Sequence, residues 1–340
     1  MVVFASILLI AVIAAAILTG LLRRYAVAFH LLDIPNKRSS HQMPTPRGGG
    51  LAIVIVFLSG LAAFAIMDLP AAKNMWLFFG AGAWVAGVGF WDDHQHIPAH
   101  QRLLAHFIAA IVGLYGIGGM PPLLLFGHLI DLGWAGEFIG VFYLVWLLNL
   151  YNFMDGIDGL AGIEAITVCL GGVLLTLSSA ENTGQHWLLA LLAMAVAGFV
   201  VWNFPFARIF MGDAGSGFLG LVLGLFSLQA ASIAPQYFWS WLIFLGVFVV
   251  DATWTLMCRF LAGEKLHEAH CCHGYQHAAR YYGAHKPVTL IVAGINLCWL
   301  MPIALWVGKG GLDGFTGLLL AYLPLVLLAI RFKAGIREAI

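Results

Sequence analysis

Residues 137–178 read "EFIGVFYLVWLLNLYNFMDGIDGLAGIEAITVCLGGVLLTLS". Two apolar runs, about 137–151 and 160–178, flank a turn that carries Asn149, Asn152, Asp155 and Asp158. Neither run alternates polar and apolar positions as a half-exposed strand does. Two helices apolar on every side, joined by a short polar turn, need an apolar medium around them.

Working outward, the whole chain repeats this pattern. Of its 340 residues 62% are hydrophobic and 9% charged, and the mean hydropathy is +0.94. A soluble domain carries about 25% charged residues, so a water-facing surface cannot be built from this composition. In a bilayer the backbone must close its hydrogen bonds within helices or a barrel, and apolar runs of about 17–23 residues select helices. The expected fold is an all-α polytopic membrane protein, residues 1–340 forming one integral membrane domain. The net charge is zero and the pI about 7.2, which leaves no nucleic-acid footprint. Cys169, Cys258, Cys271, Cys272 and Cys298 are odd in number and two are adjacent, which is no disulfide framework. The opening "MVVFASILLIAVIAAAILTGLLRR" lacks a basic start and reads as a spanning helix rather than a signal peptide.

Eleven spans are expected, at about 2–22, 50–67, 75–91, 103–119, 137–151, 160–178, 187–202, 216–233, 238–258, 288–307 and 314–330. With the N-terminus outside, Arg23, Arg24, Lys37, Arg38, Arg47, Arg102, Arg208, Arg259, Lys265, Arg280, Lys286, Arg331, Lys333 and Arg337 all fall on the cytoplasmic side. Of the 16 basic residues only Lys73 and Lys309 fall outside, as the positive-inside rule expects. The C-terminus is then cytoplasmic.

The polar motifs share that cytoplasmic face, in loops at about 23–50, 92–102, 152–159, 203–216 and 259–287. Asp92 and Asp93 end an inward-running helix, where the helix dipole disfavours acids and a cation is wanted. Asp155, Asp158 and Asp213 stand just before helix starts, where capping is the plain alternative. Capping does not explain Asn149, Asn152 and Asn203, amides at the ends of apolar helices, which are expected to bond one another or a polar ligand. Glycines flank the same helix starts, and helix N-termini attract phosphate. His270, His273 and His277 would share one face if their segment were helical. The spacing of "HCCH" does not suit a zinc finger. Hard carboxylate oxygens, helix N-termini and basic residues on one face suit magnesium-assisted phosphoryl transfer between a nucleotide substrate and a membrane lipid.

"DIPNKRSSHQMPTPRGGG" (33–50), "GFWDD" (89–93), "NLYNFMDGIDGLAG" (149–162), "ARIFMGDAGSGFLG" (207–220) and "HEAHCCHGYQ" (267–276) occur in this order. Together they resemble the polyprenyl-phosphate N-acetylhexosamine-1-phosphate transferase family (glycosyltransferase family 4, WecA- and WbpL-like, related to MraY). The resemblance implies transfer of a sugar 1-phosphate from a UDP-N-acetylhexosamine to undecaprenyl phosphate, with release of UMP. It implies Mg²⁺, with Mn²⁺ as the alternative ion, and a bacterial inner-membrane protein whose active site faces the cytoplasm. A homodimer is compatible with it. Carried over by motif, Asp92, Asp93, Asp155, Asp158, His270 and His273 are catalytic, and Asp213, Asp93 and Asn152 hold the metal. Asn36, Lys37, Arg38, His41, Asn149, Asn152, Asn203, Gln276 and Arg280 contact substrate.

Two departures narrow the resemblance. Cys272 stands where the family has a histidine, which is similar to the O-antigen-initiating branch that takes 6-deoxy sugars such as FucNAc or QuiNAc as well as GlcNAc. His96 stands where the MraY branch has lysine, which argues against a UDP-MurNAc-pentapeptide donor. A transporter, the rival class, would place its ionisable groups near the membrane midplane on broken helices. Only Glu164 and Asp251 lie within apolar runs, and Asp251 is expected to pair with Arg259 or line the cavity.

Overall fold

The computed structural model describes residues 2–35, 40–41, 43–67, 76–95, 97–178, 184–265 and 270–337. α1 (Val2–Ala28) is followed by a short antiparallel hairpin, β1 (Leu32–Asp33) and β2 (Thr45–Pro46), with Leu32 opposite Pro46. Then come α2 (Leu51–Ile66), α3 (Trp76–His94) and α4 (Ala99–Gly116). A second hairpin, β3 (Leu123–Leu125) and β4 (His128–Ile130), leads into α5 (Gly133–Phe153), α6 (Leu160–Leu177), α7 (Gln185–Asn203) and α8 (Asp213–Ile233). The last part holds α9 (Tyr237–Phe244), α10 (Gly246–Leu261), α11 (Gly274–Tyr282), α12 (His285–Ile295), α13 (Met301–Gly308) and α14 (Gly314–Arg331).

The described part of each of the eleven apolar runs falls on a helix or a helix pair. Seven described helices are long and apolar enough to cross a membrane, and the bent pair α9–α10 makes eight if counted as one span. α2 has 16 residues. α3 ends in the polar Asp92–Asp93–His94, and α4 begins with a polar turn around His100, Gln101 and Arg102. The run at 238–258 is not one straight helix but is bent by 70° between Phe244 and Gly246. The run at 288–307 stays continuous through a π turn at Asn296–Leu300.

α8 is the axis of the fold. It is buried along nearly its whole length and packs against α2, α3, α5 and α9. Its small residues make this possible: a Cβ on Gly220 would stand 2.6 Å from the Leu147 carbonyl oxygen of α5, closer than any side chain permits. The close α5–α8 approach fixes the end of α5, and with it Asn152, beside the start of α8.

Candidate active site

Backbone pairing brings two distant polar loops together. Phe210 N–H donates to Pro46 O (2.8 Å), Gly49 N–H to Phe210 O (2.9 Å) and Gly50 N–H to Met211 O (2.8 Å). The "PTPRGGG" segment is thereby laid along the approach to α8. Gly212 takes a positive φ of 77°, a conformation that favours glycine, and turns the chain into α8. A Cβ there would also lie 2.6 Å from Asp93 Oδ2.

At this turn α3, α4, α5 and α8 meet. The Asp213 N–H donates to Asp93 Oδ1 (3.2 Å). Asn152 Nδ2 donates to Asp213 Oδ1 (2.7 Å) and to Ser216 Oγ (3.0 Å). Arg102 bridges Asp92 Oδ2 at 2.5 Å and Asp213 Oδ2 at 3.3 Å. Asp92 Oδ1 accepts from the Ile97 N–H (2.7 Å), and Arg47 donates to the Asp93 backbone carbonyl. Asp92, Asp93, Asp213 and Asn152, four of the sequence-derived site residues, form one connected cluster.

Two features of this cluster bear on whether it could hold a cation. Asp93 Oδ2 is buried and has no hydrogen-bond partner among the described residues, and an unpaired buried carboxylate oxygen is costly. Burial first, then the charges of Asp213 and Asp93, push the Asp155 carboxyl well above the usual carboxylate range, because like charges and desolvation both oppose ionisation. The described residues hold no ready-made group of three or more His, Cys, Asp or Glu ligands for a metal ion. The oxygens of Asp93 and Asp213 nevertheless fit Mg²⁺, which binds through one or two carboxylates and completes its shell with substrate phosphates and water. Asn152 turns its amide nitrogen to Asp213, so only its Oδ1 is left as a donor for a metal.

The three asparagines do not bond one another. Asn149 donates back to Val145 O in its own helix (2.7 Å), and Asn152 serves Asp213. Asn203 is buried, accepts from the Gly159 N–H (2.8 Å) and donates to Ile209 O (2.9 Å), so both ends of its amide are taken by backbone. Capping is not found either. α6 starts from Gly159 and α8 from Gly212, each without a side-chain cap.

Asp158 is placed differently from Asp155, three residues before it. Its Oδ2 accepts from the Ala207 N–H (3.0 Å) and its Oδ1 pairs with His285 Nδ1 (3.0 Å). Its backbone carbonyl takes the Thr289 hydroxyl (2.8 Å). Asp158 thus ties the α5–α6 turn to the α7–α8 loop and to α12.

The histidine segment folds over the same turn. Tyr275 Oη donates to Phe153 O (3.0 Å), joining α11 to the end of α5. The expected helical face of His270, His273 and His277 is not formed, because α11 begins only at Gly274 and just His277 lies on it. His273 caps that helix, and its N–H donates to Gln276 Oε1 (3.2 Å). Gln276 is therefore engaged in the cap and buried. Asp251 does not pair with Arg259, which binds Glu264 at 2.8 Å. It faces His273 Nδ1 at 3.2 Å instead. His270 Nδ1 contacts Cys272 Sγ (3.2 Å), and Arg280 donates to Cys271 O (3.2 Å). His41 reaches Asp33 O (3.3 Å) and sets its ring against Phe210. Asn36, Lys37 and Arg38 lie outside the described residues.

Sequence reasoning did not assign Arg47, Arg102, Asp251 or His285 to the site. Asp251 carried a signal as an acid inside an apolar run, while Arg47 and His285 lie in the polar stretches 33–50 and 259–287 without standing out in them.

The chain matches the family model described as glycosyl transferase family 4 over residues 75–231, a range that holds Asp92, Asp93, Asp155, Asp158 and Asp213. It is 28% identical over 295 residues to a probable undecaprenyl-phosphate N-acetylglucosaminyl 1-phosphate transferase of Bacillus subtilis (strain 168), covering 84% of this chain and 79% of the relative. It is 31% identical over 241 residues to a decaprenyl-phosphate N-acetylglucosaminephosphotransferase of Mycolicibacterium smegmatis, covering 64% of this chain and 58% of that protein. A phospho-N-acetylmuramoyl-pentapeptide-transferase of Streptococcus pneumoniae is 29% identical over 233 residues, with 65% of this chain and 69% of the relative covered.

Proposed function

We propose that the chain is a member of glycosyl transferase family 4, whose model matches residues 75–231, and that it transfers N-acetylhexosamine 1-phosphate from a UDP-sugar to undecaprenyl phosphate and releases UMP. The observation that carries this reading is the junction of Asp93, Asp155 and Asp213 at the start of α8, with Asp93 Oδ2 buried and unpartnered. The names of the relatives, a polyprenyl phosphate acceptor among them, support the substrate class.

A lipid phosphate oxygen attacks the sugar-bearing phosphorus of the donor, and the bond from that phosphorus to the UMP oxygen breaks. A phosphomonoester loses its second proton near pH 6, so the acceptor is already nucleophilic at neutral pH and the protein's task is positioning. Asp213 and Asp93 are the residues that would hold Mg²⁺, with Asn152 Oδ1 beside them. An ion held there would supply charge neutralisation for the diphosphate and for the leaving UMP. Asn152 and Arg102 keep Asp213 in place, and Asp92 keeps Arg102. The segment 270–280 overhangs the α5–α6 turn through Tyr275 and offers imidazoles and a guanidinium to the sugar or the diphosphate. The product would initiate O-antigen or a related envelope glycan in the bacterial inner membrane, with the site on the cytoplasmic side.

The test is UMP release by the purified protein with undecaprenyl phosphate, Mg²⁺ and each of UDP-GlcNAc, UDP-FucNAc and UDP-QuiNAc. Release that requires the lipid is expected with at least one of them. No release with any, or release only with UDP-MurNAc-pentapeptide, would overturn the proposal. That last outcome would place the chain with its pneumococcal relative.

A further inference from the structure

Asp251 lies on an apolar helix, and the transferase reading leaves it without a role. Its two oxygens take four hydrogen bonds. Oδ1 accepts from the Gly274 N–H (2.9 Å), from Thr255 Oγ1 (3.2 Å) and from His273 Nδ1 (3.2 Å), and Oδ2 accepts from the Tyr275 N–H (2.8 Å). Backbone N–H groups can only donate, and they reach both oxygens. Two backbone N–H groups and a hydroxyl directed at one carboxyl favour its anionic form. The proton between Asp251 and His273 then belongs to Nδ1 of the imidazole.

We propose that Asp251 is the positioning residue of His273: it fixes the Nδ1–H tautomer and ring orientation, so that His273 meets the substrate through Nε2. The assignment of a substrate role to His273 rests on the transferase reading; the tautomer does not. The surroundings hold the ring in the same pose. It is buried, with 3% of its side-chain surface accessible, and sits between His270 and Tyr275 at ring separations of 4.8 and 5.6 Å. Phe153, at the end of the α5 helix that bears Asn152, packs at 6.3 Å. Nε2 is the ring nitrogen that does not face Asp251. Neutral, that nitrogen accepts a hydrogen bond from a sugar hydroxyl or amide; protonated, it donates to a phosphate oxygen, with Asp251 as the buried counter-charge. The same carboxylate caps the first turn of α11, so the helix and the imidazole are set by one group on the membrane helix α10.

Two measurements test this. In ¹⁵N-histidine-labelled protein in lipid bilayers, solid-state NMR reads the ring tautomer of His273, assigned by the signal lost in His273→Gln. Nδ1–H, or the doubly protonated ring, is expected; an Nε2–H neutral ring overturns the proposal whether or not the protein is a transferase. The second is a double-mutant cycle on kcat and KM with Asp251→Asn and His273→Gln. His273→Gln is expected to lower kcat by on the order of 100-fold or more, the scale of a positioned proton-transfer group. Asp251→Asn should lower kcat at least tenfold with little change in KM, and the double variant should be no slower than His273→Gln alone. Additive losses would mean that Asp251 acts only as a helix cap and would sink the positioning role. If the wild-type protein transfers no sugar phosphate, the transferase reading fails, and the NMR measurement still decides the dyad.

Discussion

Asn203→Ala is expected to cost stability rather than substrate affinity. Sequence reasoning assigned Asn203 to substrate, yet the structure engages both ends of its amide with backbone: the Gly159 N–H at 2.8 Å and Ile209 O at 2.9 Å. The side chain is 4% exposed, so water cannot readily replace it. Truncation leaves one buried donor and one buried acceptor unpaired, at about 1–3 kcal/mol each. Some relaxation of the 204–212 loop recovers part of this, and a net loss of about 2–4 kcal/mol is expected from the same per-group cost. The damage is local to the joint between α7 and the start of α6. The assay is thermal unfolding in a mild detergent together with steady-state transfer kinetics. A clear fall in Tm is expected, with KM for the nucleotide sugar near that of wild type at temperatures where the variant stays folded. Asn203→Asp should be no better, since its second oxygen would face the Ile209 carbonyl oxygen. An unchanged Tm with a KM raised tenfold would refute the reasoning and return Asn203 to the substrate.

Asp213→Asn should insert and fold but lose most transfer activity, and raising Mg²⁺ should not restore it; near-normal turnover at saturating Mg²⁺ would count against a metal at Asp93 and Asp213. Glu164 Oε2 accepts from Asn296 Nδ2 at 2.6 Å, while Glu164 Oε1 and Asn296 Oδ1 are both buried acceptors without a partner among the described residues. Glu164→Gln, which supplies a donor without charge, should leave Tm within a few degrees of wild type, whereas Glu164→Ala should lower it markedly; equal losses in both would show that charge matters there. Burial pushes the Cys272 thiol up to about 11, so below that pH it stays a thiol, which is the unreactive form. Iodoacetamide at pH 7.5 should therefore label Cys271 well before Cys272, as read by peptide mass spectrometry, and the reverse order would contradict the buried placement.

The helices were legible because the bilayer imposes a strong rule: an apolar run of sufficient length has to be a helix. What composition could not show is the 70° bend between α9 and α10, since the run there is apolar throughout. Within the site, sequence reasoning reached Asp92, Asp93, Asn152 and Asp213 because carboxylates and amides beside apolar helix ends are expensive without a purpose. It did not assign Arg102 to the site, because one arginine at the cytoplasmic end of an apolar run is what the positive-inside rule expects anyway. Its role exists only through Asp92, ten residues before it, and Asp213, 111 residues after it.

Asp155 and Asp158 show where sequence reasoning stops. They sit three residues apart in one turn, each followed or closely followed by glycine, and nothing local separates them. The structure gives them opposite uses. Asp158 is tied to the Ala207 N–H, 49 residues away, and to His285, 127 residues away. Among the described residues Asp155 bonds only through its backbone N–H, to Asn152 O at 3.3 Å, and its carboxyl feels burial and the charges of Asp213 and Asp93. A carboxylate whose lone pairs are taken by a backbone amide and an imidazole holds the scaffold; one pressed against two other acids by burial is available to a cation or a phosphate-bound proton. The distinction is set by partners that only the packing of α8 and α12 brings near. It follows that Asp158→Asn should act chiefly through the stability of the α5–α6 turn, and Asp155→Asn chiefly through turnover.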